Sequence, residues 1–205
     1  MIDLYTWTTP NGRKVSIMLE ECALPYRVHK INIGTNAEQF TPEYLKINPN
    51  GKIPSIVDPD GPHGKPIAMM ESGAILIYLA DKAGKFFSPK NKYQILQWLM
   101  FQMGGVGPMF GQAHHFMRAK KDEIPYGSER YGNEAKRLYG VMNRHFEKNE
   151  FFSNEYSIAD IATYPWVARH EWHRVDLNEF PSVKRWYDAI GARPAVIKGM
   201  AVPQP

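Results

Sequence analysis

The sequence predicts two architectures in succession, an α/β domain over residues 1–82 and an all-helical domain over residues 93–205, joined by a Gly/Pro-containing linker at 83–92. Three observations carry this. Segments with period-2 alternation or short apolar runs end by residue 70, and beyond residue 92 no segment reads as a strand. The first segments run strand–helix–strand, which implies a parallel pair, whereas two later strands meet across a tight loop and are antiparallel. The remainder is rich in aromatic residues and methionine and carries helix-start signals.

In order, Ile2 to Trp7 alternates apolar and polar residues as a first strand, and Thr8-Thr9-Pro10-Asn11-Gly12 breaks it. From Arg13 a helix follows, with Val15, Met18, Leu19 and Cys22 on one face at i, i+3, i+4 and i+7. Tyr26 to Ile33 reads as a second strand, and Phe40 to Ile47 as a short irregular helix. Ile56-Val57 is a third strand; Pro54 cannot donate to a ladder and so stands at its start. The turn-rich Pro59 to Gly64 leads into a fourth strand, Ile67 to Met70, and a helix over Ala74 to Ala80. The order βαβ, α, ββα is that of a thioredoxin-like domain.

In the second half, Tyr93 to Phe116 reads as a long segment interrupted at Gly104-Gly105-Val106-Gly107-Pro108, and Tyr126 to Lys148 as a helix. Ser157 and Asp160 stand at the N-cap and N3 positions of a capping box, with Tyr156 and Ile161 as its hydrophobic staple. Pro181 opens a further helix that ends near Gly191.

Composition bounds the function. The hydrophobic fraction of 43% and charged fraction of 22% suit a soluble globular protein. No apolar run approaches the roughly 20 residues of a membrane span. The net charge of +4 is scattered, so neither a membrane nor a nucleic-acid partner is expected. The single cysteine, Cys22, excludes an intrachain disulfide and a Cys-x-x-Cys pair, and its usage fits a cytoplasmic address. His114 and His115 are adjacent, and His170 and His173 are three apart rather than four, so no metal site is expected.

Residues 49–82 concentrate the chemistry. Ile53-Pro54 is an X-Pro bond at a strand start, where a cis peptide would turn the Ile53 backbone toward an extended peptide ligand. Ser72 is a good N-cap, so a helix N-terminus lies beside the Glu71 carboxylate; together they form a receptor for a zwitterion. The bland alternative is a strand, a turn and a core helix. At the break after the first strand, Thr9 and Asn11 stand where a helix N-terminus would stabilise a thiolate; ordinary turn and cap chemistry is the alternative.

Asn48-Pro49-Asn50-Gly51-Lys52-Ile53-Pro54, Glu71-Ser72-Gly73-Ala74-Ile75 and Tyr156 to Ala162 resemble motifs of the cytosolic glutathione transferases, and the likeness spans nearly the whole chain. Thr9 to Gly12, Gly111 to Phe116, Ile124-Pro125-Tyr126 and Glu129-Arg130-Tyr131 narrow it to the bacterial nu class. The resemblance implies a homodimeric, glutathione-dependent disulfide-bond reductase with weak conjugating activity, taking glutathione as co-substrate and a small disulfide or electrophile as its second substrate. It implies that Ile53 and Pro54 pair with the cysteinyl backbone of glutathione, and that Glu71 and Ser72 hold its γ-glutamyl head. Thr9 and Asn11 would hold the sulfur, with Arg130 reaching toward it from the helical domain. Lys52 would pair with the glycyl carboxylate, and Gln39 is a weaker match. For Lys52 a solvated surface lysine is the alternative, and for Arg130 a surface ion pair with Glu129 or Glu134. No tyrosine or serine ends the first strand, which disfavours efficient conjugation. A conjugating transferase and a non-catalytic glutathione-binding module are the competing functions.

Overall fold

A computed structural model describes residues 1–120 and 123–204. The chain divides into two compact units, Met1–Lys85 with Arg193–Pro205, and Phe86–Ala192. The first holds β1 (Ile2–Thr6), α1 (Pro10–Glu21), β2 (Tyr26–Lys30), α2 (Pro42–Leu45), β3 (Ser55–Asp58), β4 (Ile67–Met69) and α3 (Ser72–Ala83). The sheet order is β2-β1-β3-β4, with β1 and β2 parallel and β3 antiparallel to both its neighbours. This is the thioredoxin-like arrangement. Helix α1 starts at Pro10, earlier than the apolar spacing alone suggests, because Thr9 caps it and proline needs no hydrogen-bond partner in the first turn. Leu4 and Ile56 from the sheet, Val15, Met18 and Leu19 from α1, and Ile75, Leu76 and Leu79 from α3 are fully buried. Each such side chain contributes about 1.5–3 kcal/mol.

The second unit is helical: α4 (Lys92–Phe101), α5 (Gly107–His114), α6 (Pro125–Phe146), α7 (Ile158–Val167) and α8 (Pro181–Gly191). The glycine cluster does not interrupt the first of these runs. A π-helical turn, Gln102–Val106, joins α4 to α5 and absorbs an extra residue just where Pro108 has no N–H to give. The capping box of α7 is present: the Ser157 N–H donates to Asp160 Oδ2 at 3.0 Å, and Ser157 Oγ accepts from the Ala159 N–H at 3.3 Å. Asp160 Oδ1 accepts from the Phe152 N–H at 3.1 Å and from Trp186 Nε1 at 2.9 Å. One buried carboxylate thus ties three segments around the Phe146, Phe152 and Trp186 cluster.

The last helix, α9 (Pro194–Met200), corrects the expected division. It belongs to the first unit, not to a helical domain running to residue 205, and that unit extends to Lys85 rather than ending at 82. Gly199 lies so close to the Ile17 backbone that a Cβ there would collide with it. Ser16 Oγ donates to the Gly199 carbonyl at 2.7 Å, and Arg193 grips Glu21 through two bonds of 2.6 and 2.9 Å. No helix among the described residues is long and apolar enough to cross a membrane.

Candidate functional site

The strand register gathers three segments at one end of the strands. Tyr5 lies opposite Ser55, and Ile56 opposite Met69, so the end of β1, the start of β3 and the end of β4 are neighbours. Thr9 and Asn11 follow β1, Ile53 and Pro54 precede β3, and Glu71 and Ser72 follow β4. Residues distant in sequence meet there because β3 runs against both of its neighbours.

Thr9 is the N-cap of α1, and its Oγ1 accepts from the Gly12 N–H at 3.1 Å. Accepting that bond leaves the hydroxyl hydrogen to donate outward. Gly12 has no substitute here, since a Cβ would collide with Thr6 Oγ1 and the Trp7 carbonyl. Asn11 occupies the first turn and is half-buried. The N-terminus of a twelve-residue helix therefore lies at this end of the strands, with Thr9 and Asn11 at its mouth.

The Ile53-Pro54 peptide bond is cis, and Ile53 lies just outside the ladder, whose last β3 residue is Ser55. Its loop is pinned from behind. Tyr44 Oη and Asn48 Nδ2 both donate to the Lys52 carbonyl, each at 2.6 Å, and Asn48 Nδ2 also donates to Ser55 Oγ at 3.0 Å. The Lys52 side chain is exposed. Gln39 sits in a short turn, Glu38–Phe40, packed against Gly51, and its Oε1 is buried with no hydrogen-bond partner among the described residues.

The N-cap of α3 is Glu71, and Ser72 is the first helical residue, which corrects the expected order. Glu71 has φ +67° and ψ +107° and makes no side-chain capping bond. That backbone is costly for a residue with a Cβ, and such residues cluster at ligand clamps. Its carbonyl accepts the first helical bond, from Ile75 at 2.9 Å, while its carboxylate is exposed. Ser72, released from capping, is buried and accepts instead from Lys14 Nζ at 3.3 Å.

Lys14 is the residue that sequence reasoning missed. It is 1% exposed, and burial pushes its ammonium down to about 7 against the opposing pull of the Glu71 carboxylate. Its spacing was the available signal: Lys14 precedes the core residue Met18 by one helical turn. Cys22, at the far end of α1 and roughly 18 Å along the helix axis from Pro10, is 7% exposed. Burial pushes its thiol up to about 11, with Lys85 opposing and Glu21 adding.

Arg130 lies in the other unit, exposed on α6. Glu134, one alternative partner for it, is taken by Arg137 through two bonds of 2.7 and 2.8 Å. Arg130 has no ion pair among the described residues.

Comparison with known proteins gives a consistent placement. Residues 8–82 match the family model of the glutathione S-transferase N-terminal domain, and residues 103–194 that of the C-terminal domain. The disulfide-bond oxidoreductase YfcG of Escherichia coli K12 is 50% identical over 201 residues, covering 95% of this chain and 92% of the relative. A glutathione transferase structure from Pseudomonas putida, with one glutathione disulfide bound per subunit, superposes with a TM-score of 0.94 at 47% identity, covering 98% and 91% of the two chains. One from Burkholderia graminis, with two glutathione molecules per subunit, gives 0.92 at 47% identity, covering 99% and 88%.

Proposed function

This chain belongs to the glutathione S-transferase family, and we propose that it is a glutathione-dependent disulfide-bond reductase whose nucleophilic sulfur is supplied by bound glutathione. The observation that carries this is the mismatch between the site and the chain's one thiol. In this reading the helix N-terminus at Thr9 and Asn11 holds a thiolate, yet the chain's one cysteine is buried at the opposite end of α1 with its thiol pushed up to about 11. A thiol that high is a poor nucleophile at neutral pH.

In this reading the Glu71 carboxylate takes the ligand's ammonium, while the N–H groups opening α3 take its α-carboxylate. Ile53 pairs with the cysteinyl backbone, and Pro54 fixes that segment. Lys52, with Gln39 beside it, takes the glycyl carboxylate. The thiolate is held by the Thr9 hydroxyl, the Asn11 amide and the dipole of α1, which lower its pKa from about 8.5. Arg130 enters the proposal by the family resemblance alone.

The thiolate attacks one sulfur of a substrate disulfide, forming a mixed disulfide and expelling the other sulfur as a thiolate that takes a proton from water. A second glutathione thiolate attacks the glutathione sulfur of the mixed disulfide, releasing glutathione disulfide and the second substrate thiol. The ligands of the two solved relatives, glutathione disulfide in one and two glutathione molecules in the other, support this sequence.

Membership of the nu class, a homodimer and a cytoplasmic setting belong to the same proposal. Exposed Tyr93 and Met100 on α4 favour a partner subunit, and the second step needs a reservoir of reduced glutathione. Purified protein should reduce a small disulfide with glutathione far faster than it conjugates a chloronitroarene, and sediment at twice 23.5 kDa. Conjugation without reduction, or glutathione binding with neither activity, would overturn the reductase assignment.

A further inference from the structure

Lys14 stands behind the glutathione site proposed above and is too deeply buried to touch a ligand there. It lies on α1 and is 1% exposed, and its Nζ donates at 3.3 Å to the Oγ of Ser72, the first residue of α3. A buried ammonium is tolerated where negative charge close by offsets its lost hydration. Here the bonded neighbour is a neutral hydroxyl, and the carboxylate that acts on Lys14, that of Glu71, is itself exposed. Burial outweighs that pull and brings the amine down to about 7.

Helix α1 packs against α3 and α9. The other ionisable groups on these elements are Arg13, Glu20 and Glu21 on α1, Tyr78, Asp81 and Lys82 on α3, and Lys198 on α9 with Arg193 at its cap. Glu20 is held by Tyr26, Glu21 by Arg193, and Tyr78 and Lys82 by Asp58 of β3. Asp3 of β1 is held by His29. Glu71 is the one whose charge bears on Lys14.

The bond to Ser72 decides what the charge does. An ammonium has three donors and no acceptor, so charged Lys14 makes Ser72 Oγ the acceptor and leaves the serine hydrogen to point elsewhere. A neutral amine has a lone pair that can take that hydrogen instead. The charged form thus adds a hydroxyl donor and a positive field at the start of α3, where the helix N–H groups already favour an anion.

We propose that Lys14 is a positioning residue for the ligand's γ-glutamyl carboxylate, a buried counter-charge that acts through Ser72 and takes up a proton from solvent when that carboxylate binds. The proposal rests on the glutathione reading of the site. In that reading the carboxylate lies on the N–H groups that begin at Ser72 and the ammonium lies on the exposed side of Glu71, so the ligand charge next to Lys14's partner is negative. An anion there favours the charged lysine, and by reciprocity the charged lysine favours the anion.

S-methylglutathione is the probe, because it keeps both ends of glutathione and has no thiol to titrate. Calorimetric titration into the full chain at pH 7, in buffers of differing ionisation enthalpy, should show uptake of a fraction of a proton per ligand bound. The dissociation constant should rise about fivefold from pH 6 to pH 8, the linkage expected if the carboxylate strengthens proton binding by this lysine about tenfold. Lys14→Met and Lys14→Gln should each bind more weakly at pH 6 and lose both the uptake and the pH dependence. The uptake is read on the unaltered chain and needs no variant. Saturable binding with no uptake, or a pH profile that survives in either variant, would overturn the proposal and leave the glutathione site standing. No saturable binding at any pH would overturn the reading of the site itself, and the proposal with it.

Discussion

Replacing Lys14 with methionine should flatten the rise of stability with pH between about pH 7 and pH 9. In the folded chain this ammonium is lowered from its ordinary 10.5 to about 7 by burial. The unfolded chain therefore binds the proton more tightly, and stability rises with pH through that window. Below about pH 7 both states are protonated and the folded state carries the full cost of a buried cation. Two-state linkage puts the gain from pH 7 to pH 9 at ~2 kcal/mol, or roughly 4–8 °C in melting midpoint for a chain of this size. The other buried groups with large shifts titrate outside the window: His173 near 3 and Asp160 near 6 below it, and Cys22 from 9 to about 11 above it. Thermal melts of the unaltered chain and of Lys14→Met at matched ionic strength read the difference directly. A Lys14→Met protein with the full pH slope would refute the assignment of that proton to Lys14. The variant should also bind glutathione more weakly, since Lys14 supports Ser72 beneath the γ-glutamyl site.

Glu71→Ala and Ser72→Ala should each weaken glutathione binding by about 1.5–3 kcal/mol, the first by losing the ammonium partner and the second by leaving Lys14 Nζ without its Ser72 acceptor; calorimetric titration checks both. Thr9→Ala with Asn11→Ala should raise the pKa of the bound glutathione thiol toward about 8.5 and lower turnover at neutral pH, as thiolate ultraviolet absorbance and the pH–rate profile would report. Asp160→Ala should destabilise the helical unit by roughly 3 kcal/mol or more, because Trp186 Nε1 and the N–H groups of Phe152 and Ser157 all lose their acceptor. A denaturation midpoint within error of the unaltered chain would contradict that role.

Much of this was legible in the sequence because it rests on local rules. The alternation of β1, the capping box at Ser157 and the proline that opens α8 each declare themselves within a few residues. What escaped depends on tertiary context. Ser72 has the right chemistry for an N-cap, but the chain enters α3 through a positive-φ Glu71, which shifts the cap by one residue and frees Ser72 for Lys14. A charged residue does not announce its burial, so nothing local marks Lys14 as a buried lysine. Pro194 to Met200 is too short to reveal from its own pattern that it docks on α1. At Gly104 to Pro108 the helix-breaking residues argued for an interruption, and π-turn geometry accommodated them instead.

The origin of the sulfur is the central claim, and disulfide reduction by Cys22→Ala tests it most directly. Deleting one buried sulfur should cost roughly 1 kcal/mol of stability. With glutathione supplied, the folded variant should reduce a small disulfide at essentially the rate of the unaltered chain. A folded Cys22→Ala protein that binds glutathione normally but has lost the reductase activity would contradict the account and put the chain's own thiol in the path of the reaction.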